Sequence, residues 1–204
     1  MKEWDILKTD EDVINKLSIN LNVSQEISRL LVLRGITNYE DAESFFRPCL
    51  TKAYDPFLMK GMDMAVKRLN LAKSEKQNIL VYGDYDVDGT TSVSMMYMFL
   101  LSQEMNVKYY IPNRYDEGYG ISRKGIDYAF ANNINLIISL DCGIRAIDQI
   151  EYAKQYKIDF IICDHHTPSK EIPDAYSVLN PKQFDCRYPN KDLSGCGVGF
   201  KLIT

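Results

Sequence analysis

Short apolar runs alternate with longer amphipathic segments from about residue 79 onward. The apolar runs at 79–81, 107–111, 136–140 and 160–163, with a shorter one at 178–179, predict β-strands. The segments between them predict helices over about 90–101, 122–131 and 144–156. Strands that alternate with helices are typical of a parallel sheet, so we predict an α/β fold with a mainly parallel sheet flanked by helices.

Residues 1–60 carry apolar positions at helical spacing and no strand pattern. Capping residues indicate helix starts near Thr9, Ser24 and Asn38. The pair Asp55-Pro56 indicates a boundary, and residues 61–74 then predict a further amphipathic helix. We therefore predict a small helical amino-terminal region over 1–60 and an α/β domain over 61–204.

Composition and charge exclude few classes of function. The 204 residues carry a formal net charge of -4, which gives no overall basic signature for nucleic-acid binding. The five cysteines are odd in number and form no CxxC pair, which disfavours a zinc knuckle and a disulfide scaffold. The chain has no long apolar run, and its start, Met1-Lys-Glu-Trp-Asp5, has no apolar signal region. We therefore expect a cytoplasmic protein without a membrane span.

Potential metal ligands follow three of the predicted strands. They are Asp84, Asp86, Asp88, Asp141, Asp164, His165 and His166. Parallel strands place their carboxyl ends at one edge of a sheet, where open α/β folds bind ligands. Carboxylates mixed with imidazoles favour Mn²⁺, with Mg²⁺ as a substitute and Zn²⁺ less favoured. Taken alone, the first three acids are equally compatible with a polar turn whose carboxylates are solvated.

Further residues near the same edge have two interpretations each. Arg114, in the loop after the second strand, is a candidate for binding a phosphate or for a surface salt bridge. The ring of Tyr119 is a candidate for stacking on an unpaired base or for ordinary packing under the loop. The glycines Gly195, Gly197 and Gly199 indicate either a phosphate-binding loop or a turn into another helix.

Three ordered motifs resemble those of the DHH phosphoesterase superfamily. They are Tyr82-Gly-Asp-Tyr-Asp-Val-Asp-Gly89, Leu140-Asp-Cys-Gly143 and Asp164-His-His166. Within that superfamily, the chain is similar to the amino-terminal part of the RecJ family of single-strand-specific exonucleases. The segments that carry this likeness are Leu33-Arg-Gly35, Asp55-Pro56, Tyr110-Ile-Pro-Asn-Arg114, Glu117-Gly-Tyr-Gly120, Leu179-Asn-Pro181 and Gly195-Cys-Gly-Val-Gly-Phe-Lys-Leu202.

The resemblance implies a hydrolase that digests single-stranded DNA from 5′ to 3′ in DNA repair and recombination. It implies two divalent cations, Mn²⁺ or Mg²⁺, that activate water and stabilise in-line displacement at phosphorus. His166 is expected to face the scissile phosphate, and Asp164 to orient a histidine. Single-stranded DNA would be the main partner, and a helicase and a single-strand-binding protein are candidate protein partners.

The resemblance also implies how the metals are held. Asp86 and Asp88 are expected to bind opposite metals, and Asp141 is expected to bridge them. Asp84 would assist at the first metal, and His165 would bind the second.

Two departures from the superfamily pattern stand out. Many of its members have a histidine where this chain has Tyr82, and a phenol is a poor neutral ligand. The chain also ends at Thr204, before the place of the fourth motif and of the carboxy-terminal domain. We therefore expect a fragment of a longer protein, whose activity by itself is doubtful.

Three other functions stay open at this point. The nearest is a DHH-type phosphodiesterase that degrades short oligoribonucleotides or cyclic dinucleotides, which would share the metal motifs. A signalling receiver module would also have an acidic pocket, but the adjacent histidines disfavour it. A DNA-binding piece with vestigial acids is disfavoured by the net charge of -4.

Overall fold

The computed structural model describes residues 7–204, so the expected absence of a signal region at residues 1–5 lies outside the described residues. Contacts divide the chain into two units, Met1–Ala53 and Tyr54–Thr204. The sequence placed the boundary at residues 60 and 61, close to this division. The assignment of these units as domains stays a prediction.

The part of the first unit that the structure describes, residues 7–53, contains three helices. They are α1 (Glu11–Leu21), α2 (Gln25–Val32) and α3 (Tyr39–Phe46), followed by a 3₁₀ turn at Leu50–Lys52. Each helix begins where the sequence indicates, because the side chains of Asp10, Ser24 and Asn38 accept hydrogen bonds from first-turn amides.

The buried face of α2 differs from the prediction. The helical spacing predicts a buried side that includes Ile27, Leu30, Leu31 and Leu33, but Leu31 alone of these is buried. The helix has only eight residues, and its buried positions are Ser28 and Leu31. One narrow stripe of so short a helix therefore faces the core, and the neighbouring leucines lie outside it.

The second unit alternates helices and strands. Its elements are α4 (Met62–Ser74), β1 (Asn78–Gly83), α5 (Val87–Ser102), β2 (Asn106–Tyr110), α6 (Arg123–Ala131), β3 (Leu136–Leu140), α7 (Ile147–Lys154), β4 (Asp159–Cys163), β5 (Ser177–Leu179) and α8 (Gly195–Ile203), after a 3₁₀ turn at Pro56–Leu58. Every predicted strand is present, with bounds close to the prediction. No helix within residues 7–204 combines the length and the apolar character needed to cross a bilayer.

The five strands form one sheet in the order β2-β1-β3-β4-β5, and all neighbouring strands are parallel. This confirms the predicted α/β fold. One hydrophobic cluster joins one face of the sheet to α4, α5 and α8, and a second joins the other face to α6 and α7. The strand order reverses between β1 and β3, and such a switch point opens a crevice at the carboxyl ends of the strands.

Helix α5 begins three residues earlier than predicted. Asp86 caps it by accepting a hydrogen bond from the amide of Gly89 at 2.9 Å. This first turn has no room for a side chain at Gly89, because a Cβ there would lie 2.4 Å from the carbonyl oxygen of Asp84. Asp88 therefore projects from a helix and not from the predicted loop.

Candidate metal centre

Carboxylates from two strand ends meet at the switch point of the sheet. Asp84 and Asp86 follow β1, and Asp141 follows β3. One ligand atom from each of the three lies within 4.8 Å of the others, so they can share one cation. Hard oxygen donors of this kind suit Mg²⁺ and Mn²⁺.

A second group of donors adjoins the first and shares Asp141 with it. Ligand atoms of Asp141, His165 and His166 also lie within 4.8 Å of one another. The Nε2 atom of His165 is 3.1 Å from Oδ1 of Asp141 and 3.8 Å from Oδ2 of Asp88. The structure thus brings donors that follow β1, β3 and β4 together, with Asp141 common to both donor groups.

Asp88 lies beside these groups but in neither of them. Both of its oxygens accept hydrogen bonds from the start of α8, from the amide of Gly195 at 2.7 Å and from that of Cys196 at 2.8 Å. The three glycines near residue 197 thus lie at the beginning of a helix. Of the two interpretations given above, the turn into a helix is the one observed.

The charge of the cluster supports a cation. Burial, followed by the charges of Asp88 and Asp86, raises the pKa of Asp141 to about 7. Burial also raises the pKa of Asp84. Oδ1 of Asp141 is buried without a hydrogen-bond partner among the described residues, although His165 is close. A buried acceptor without a donor, surrounded by like charges, is stabilised when a cation supplies the missing partner, so these residues fit a divalent metal.

Asp164 organises the two histidines and takes no part in the donor groups. Its Oδ2 accepts from the amide of Ile144 at 2.9 Å, and its Oδ1 accepts from the amides of His165 and His166. Oδ1 also lies 2.7 Å from Nδ1 of His166. The carboxylate therefore holds Nδ1 of His166 and leaves Nε2 for another partner.

Tyr119 contacts the same imidazole from the opposite side. Its hydroxyl lies 3.1 Å from Nε2 of His166. Asp164, His166 and Tyr119 form a continuous hydrogen-bonded series, with Tyr119 at the open end, since its side chain is 59% exposed. These three residues, and Arg145, line a cavity of about 310 Å³ beside the acids.

Arg114 lies in the same loop as Tyr119 and contacts a different aromatic residue. Its guanidinium sits 5.4 Å from the centre of the Tyr85 ring, in cation–π geometry. Among residues 7–204, no acidic side chain forms a salt bridge with Arg114. The surface salt bridge that the sequence allowed is therefore not formed.

Tyr82 replaces the histidine of the superfamily pattern with a different structural role. It is fully buried, and its hydroxyl donates to the carbonyl of Gly120 at 2.9 Å and accepts from the amide of Ser122 at 3.1 Å. The phenol thus fastens the loop that carries Tyr119 and does not point to the acids.

Glu117 is a second anchor of this loop, and sequence reasoning assigned it no role. It accepts hydrogen bonds from the hydroxyls of Tyr110 and Ser122 and from the amide of Asn113. Its partners lie on both sides of the loop along the chain, so a single carboxylate closes the loop at its base. An acid that is preceded by tyrosine and followed within five residues by serine is too common a pattern to predict this anchoring role for Glu117.

Comparison with known proteins shows which sequences and structures the chain is similar to. It is 41% identical over 199 residues to the single-stranded-DNA-specific exonuclease RecJ of Bacillus subtilis (strain 168), which covers 98% of the chain and 25% of that relative. A crystal structure of exonuclease RecJ bound to manganese aligns with a TM-score of 0.63 and 30% identity, covering 71% of this chain and 37% of that one.

A crystal structure of RecJ in complex with Mn²⁺ from Thermus thermophilus has the same fold, with a TM-score of 0.71. It is 24% identical and covers 96% of this chain and 27% of that one. The chain thus spans about a quarter of the length of its curated relative. The predicted likeness to RecJ proteins is confirmed. Residues 78–204 match the DHH family, N-terminal domain, and the chain belongs to that family.

Proposed function

We propose that this chain is the metal-binding part of a 5′→3′ exonuclease that hydrolyses the phosphodiester bonds of single-stranded DNA. The observation that carries the proposal is the position of Asp141, whose carboxylate belongs to both donor groups. Two cation positions that share a bridging carboxylate are the arrangement that two-metal phosphodiester hydrolysis requires. The relatives that the chain resembles bear the name of a single-stranded-DNA-specific exonuclease.

The donor groups support a division of the ligands between two ions, Mn²⁺ or Mg²⁺. Asp84, Asp86 and Asp141 would hold the first. Asp141 and His165 would hold the second, together with Asp88, which lies 3.8 Å from the imidazole of His165. Asp88 keeps free lone pairs after accepting one amide at each oxygen. Bound ions would supply an activated water and neutralise charge that develops on the phosphate oxygens.

The remaining residues would act on the phosphate and on the strand. His166 would present Nε2 to the scissile phosphate, because Asp164 holds its other nitrogen. In the protonated imidazole Nε2 is a donor, which suits an oxyanion or a leaving oxygen. Tyr119 and Arg114, exposed on one loop, would contact the strand through base stacking and a phosphate, respectively.

Digestion of two substrates by the protein as it is made in the cell tests this proposal. One is a single-stranded oligodeoxynucleotide with a 5′-phosphate, labelled at either end, and the other is a dinucleotide. With Mn²⁺ we expect rapid loss of a 5′ label and gradual shortening of a 3′-labelled strand, and no cleavage with a chelator. Faster turnover of the dinucleotide would instead favour the oligoribonucleotide or cyclic-dinucleotide phosphodiesterase.

The cellular setting follows from the same proposal. We expect the enzyme to act in the cytoplasm during DNA repair and recombination. A helicase that unwinds duplex and a single-strand-binding protein that covers the product are the partners that such a reaction calls for. Co-purification of the tagged protein from cells exposed to a DNA-damaging agent would test both partners.

A further inference from the structure

The first turn of α8 packs directly against the acids of the metal centre. Asp88 accepts hydrogen bonds from the first two amides of that helix. Ser194 caps it, because its Oγ accepts from the amide of Gly197 at 3.1 Å. The helix is buried along Val198 and Leu202 against the core that it shares with α5 and β3, so its position is fixed.

Gly195 is the point of closest approach. A Cβ built on Gly195 would lie 2.5 Å from Cβ of Asp141 and 2.6 Å from its Oδ1. Both separations are well below an ordinary contact, and neither group can move away freely. Gly197, two residues further along the same helix, differs sharply, because a Cβ there would meet its nearest atom, Cβ of Leu193, at 3.4 Å.

Gly195 leaves room for Oδ1 of Asp141, the oxygen of that carboxylate that lacks a hydrogen-bond partner within residues 7–204. Oδ1 of Asp141 is buried and accepts no hydrogen bond from the described residues. It is also the oxygen that faces Nε2 of His165. The absence of a side chain at Gly195 thus preserves the place of the Asp141 carboxylate, which belongs to both donor groups.

We propose that the first turn of α8 is a positioning element of the metal centre, in which Gly195 sets the place of Asp141 and its amide, with that of Cys196, sets the place of Asp88. This inference rests on the proposed function, because it assigns α8 to the same metal site. Gly195 and Cys196 are not among the proposed ligands. They act through two ligands from different elements, Asp88 on α5 and Asp141 after β3, so one helix end fixes the spacing between those ligands.

A methyl group at residue 195 has to displace either the carboxylate or the helix. Displacing the carboxylate moves the ligand shared by both donor groups, and displacing the helix breaks the bonds to Asp88. Either movement weakens metal binding, whereas a methyl group at residue 197 causes neither. Gly195→Ala and Gly197→Ala are therefore a matched pair within one helix.

Calorimetric titration with Mn²⁺ of the protein as it is made in the cell tests the proposal without an activity assay. We expect Gly195→Ala to raise the Kd for Mn²⁺ at least tenfold, and Gly197→Ala to leave it within twofold of wild type. Ser194→Ala removes the cap from an exposed position without adding a clash, and we expect it to raise the Kd several-fold. Ser194→Thr, which keeps a capping hydroxyl, should restore it.

The outcomes separate this inference from the proposed function. A wild-type chain that binds no Mn²⁺ would overturn both. A wild-type chain that binds Mn²⁺ no more tightly than Gly195→Ala and Ser194→Ala do would overturn the role of α8 alone. If Gly195→Ala does not fold, as judged by circular dichroism, the Ser194 pair decides by itself.

Discussion

Replacing Asp141 by Asn should stabilise the metal-free protein, and the gain should grow with pH. Burial and the neighbouring acids raise the pKa of Asp141 from 3.8 to about 7. An acid whose pKa is raised by folding leaves stability intact below its unfolded pKa. That stability is lost as pH rises through the folded value, because the carboxylate then ionises inside the protein. The variant amide has a similar shape and does not ionise.

The size of the effect follows from the same values. The side chain of Asp141 is 3% exposed, so solvent screens its charge very little. Each pKa unit corresponds to about 1.4 kcal/mol, so the raised pKa costs about 4 kcal/mol near pH 8, where the group is ionised in both states, and about 2 kcal/mol near pH 5, where it is ionised only in the unfolded state. The gain from Asp141→Asn should therefore be about 2–3 kcal/mol larger near pH 8, or roughly 5–10 °C in Tm.

Urea unfolding with a chelator, at both pH values, measures this difference. Asp63→Asn is the control, since Asp63 is an exposed acid on α4 distant in sequence from the site. Mn²⁺ at a hundredfold excess over Kd should offset most of this gain near pH 8, because wild type binds the ion and is stabilised by about 3 kcal/mol. A gain for Asp141→Asn that is equal at both pH values would refute the assignment of a buried, repelled carboxylate.

Three other substitutions give sharp expectations. His165→Ala should abolish cleavage, as measured by oligonucleotide digestion, and leave the Tm of the metal-free protein nearly unchanged, since the imidazole is partly exposed. Tyr82→Phe should lower the free energy of unfolding in urea by about 1–3 kcal/mol, because two partly buried backbone groups lose their partner. Glu117→Gln should slow cleavage by loosening the loop of Tyr119, whereas Asp116→Asn, an exposed neighbour, should not; equal rates for the two variants would contradict an anchoring role.

The sequence predicts the fold and the convergence of the site for one physical reason. Parallel strands joined by right-handed crossovers end at one edge, so residues that follow different strands meet there. Asp84, Asp141 and His165 are far apart in the chain, and this rule alone brings them to one place. The apolar runs were sufficient to predict the strands. Strands β3 and β4 are buried on both faces, so they carry continuous apolar residues and not an alternation of apolar and polar ones.

The sequence does not predict the contacts that site residues make with distant parts of the chain. Asp88 and its partner Gly195 are 107 residues apart, and no local pattern pairs a helical acid with the start of a particular later helix. Tyr82 differs in another way. Its residue type argues against a metal ligand, but only the position of the loop shows that its hydroxyl binds Gly120 and Ser122.

The fold holds the acids in place before a metal arrives. Asp141 adopts a left-handed backbone conformation, with φ of 60°, and its amide donates to the carbonyl of Cys163. Asp86 is held as a helix cap and Asp88 by two amides of α8. These bonds keep like charges together against their repulsion, so part of the stability of the metal-free protein is given up to prepare the site. It follows that substitutions which relieve the repulsion, such as Asp141→Asn, should raise metal-free stability and lower Mn²⁺ affinity together. A set of such variants in which both quantities rise would show that the acids are not prepared for a metal.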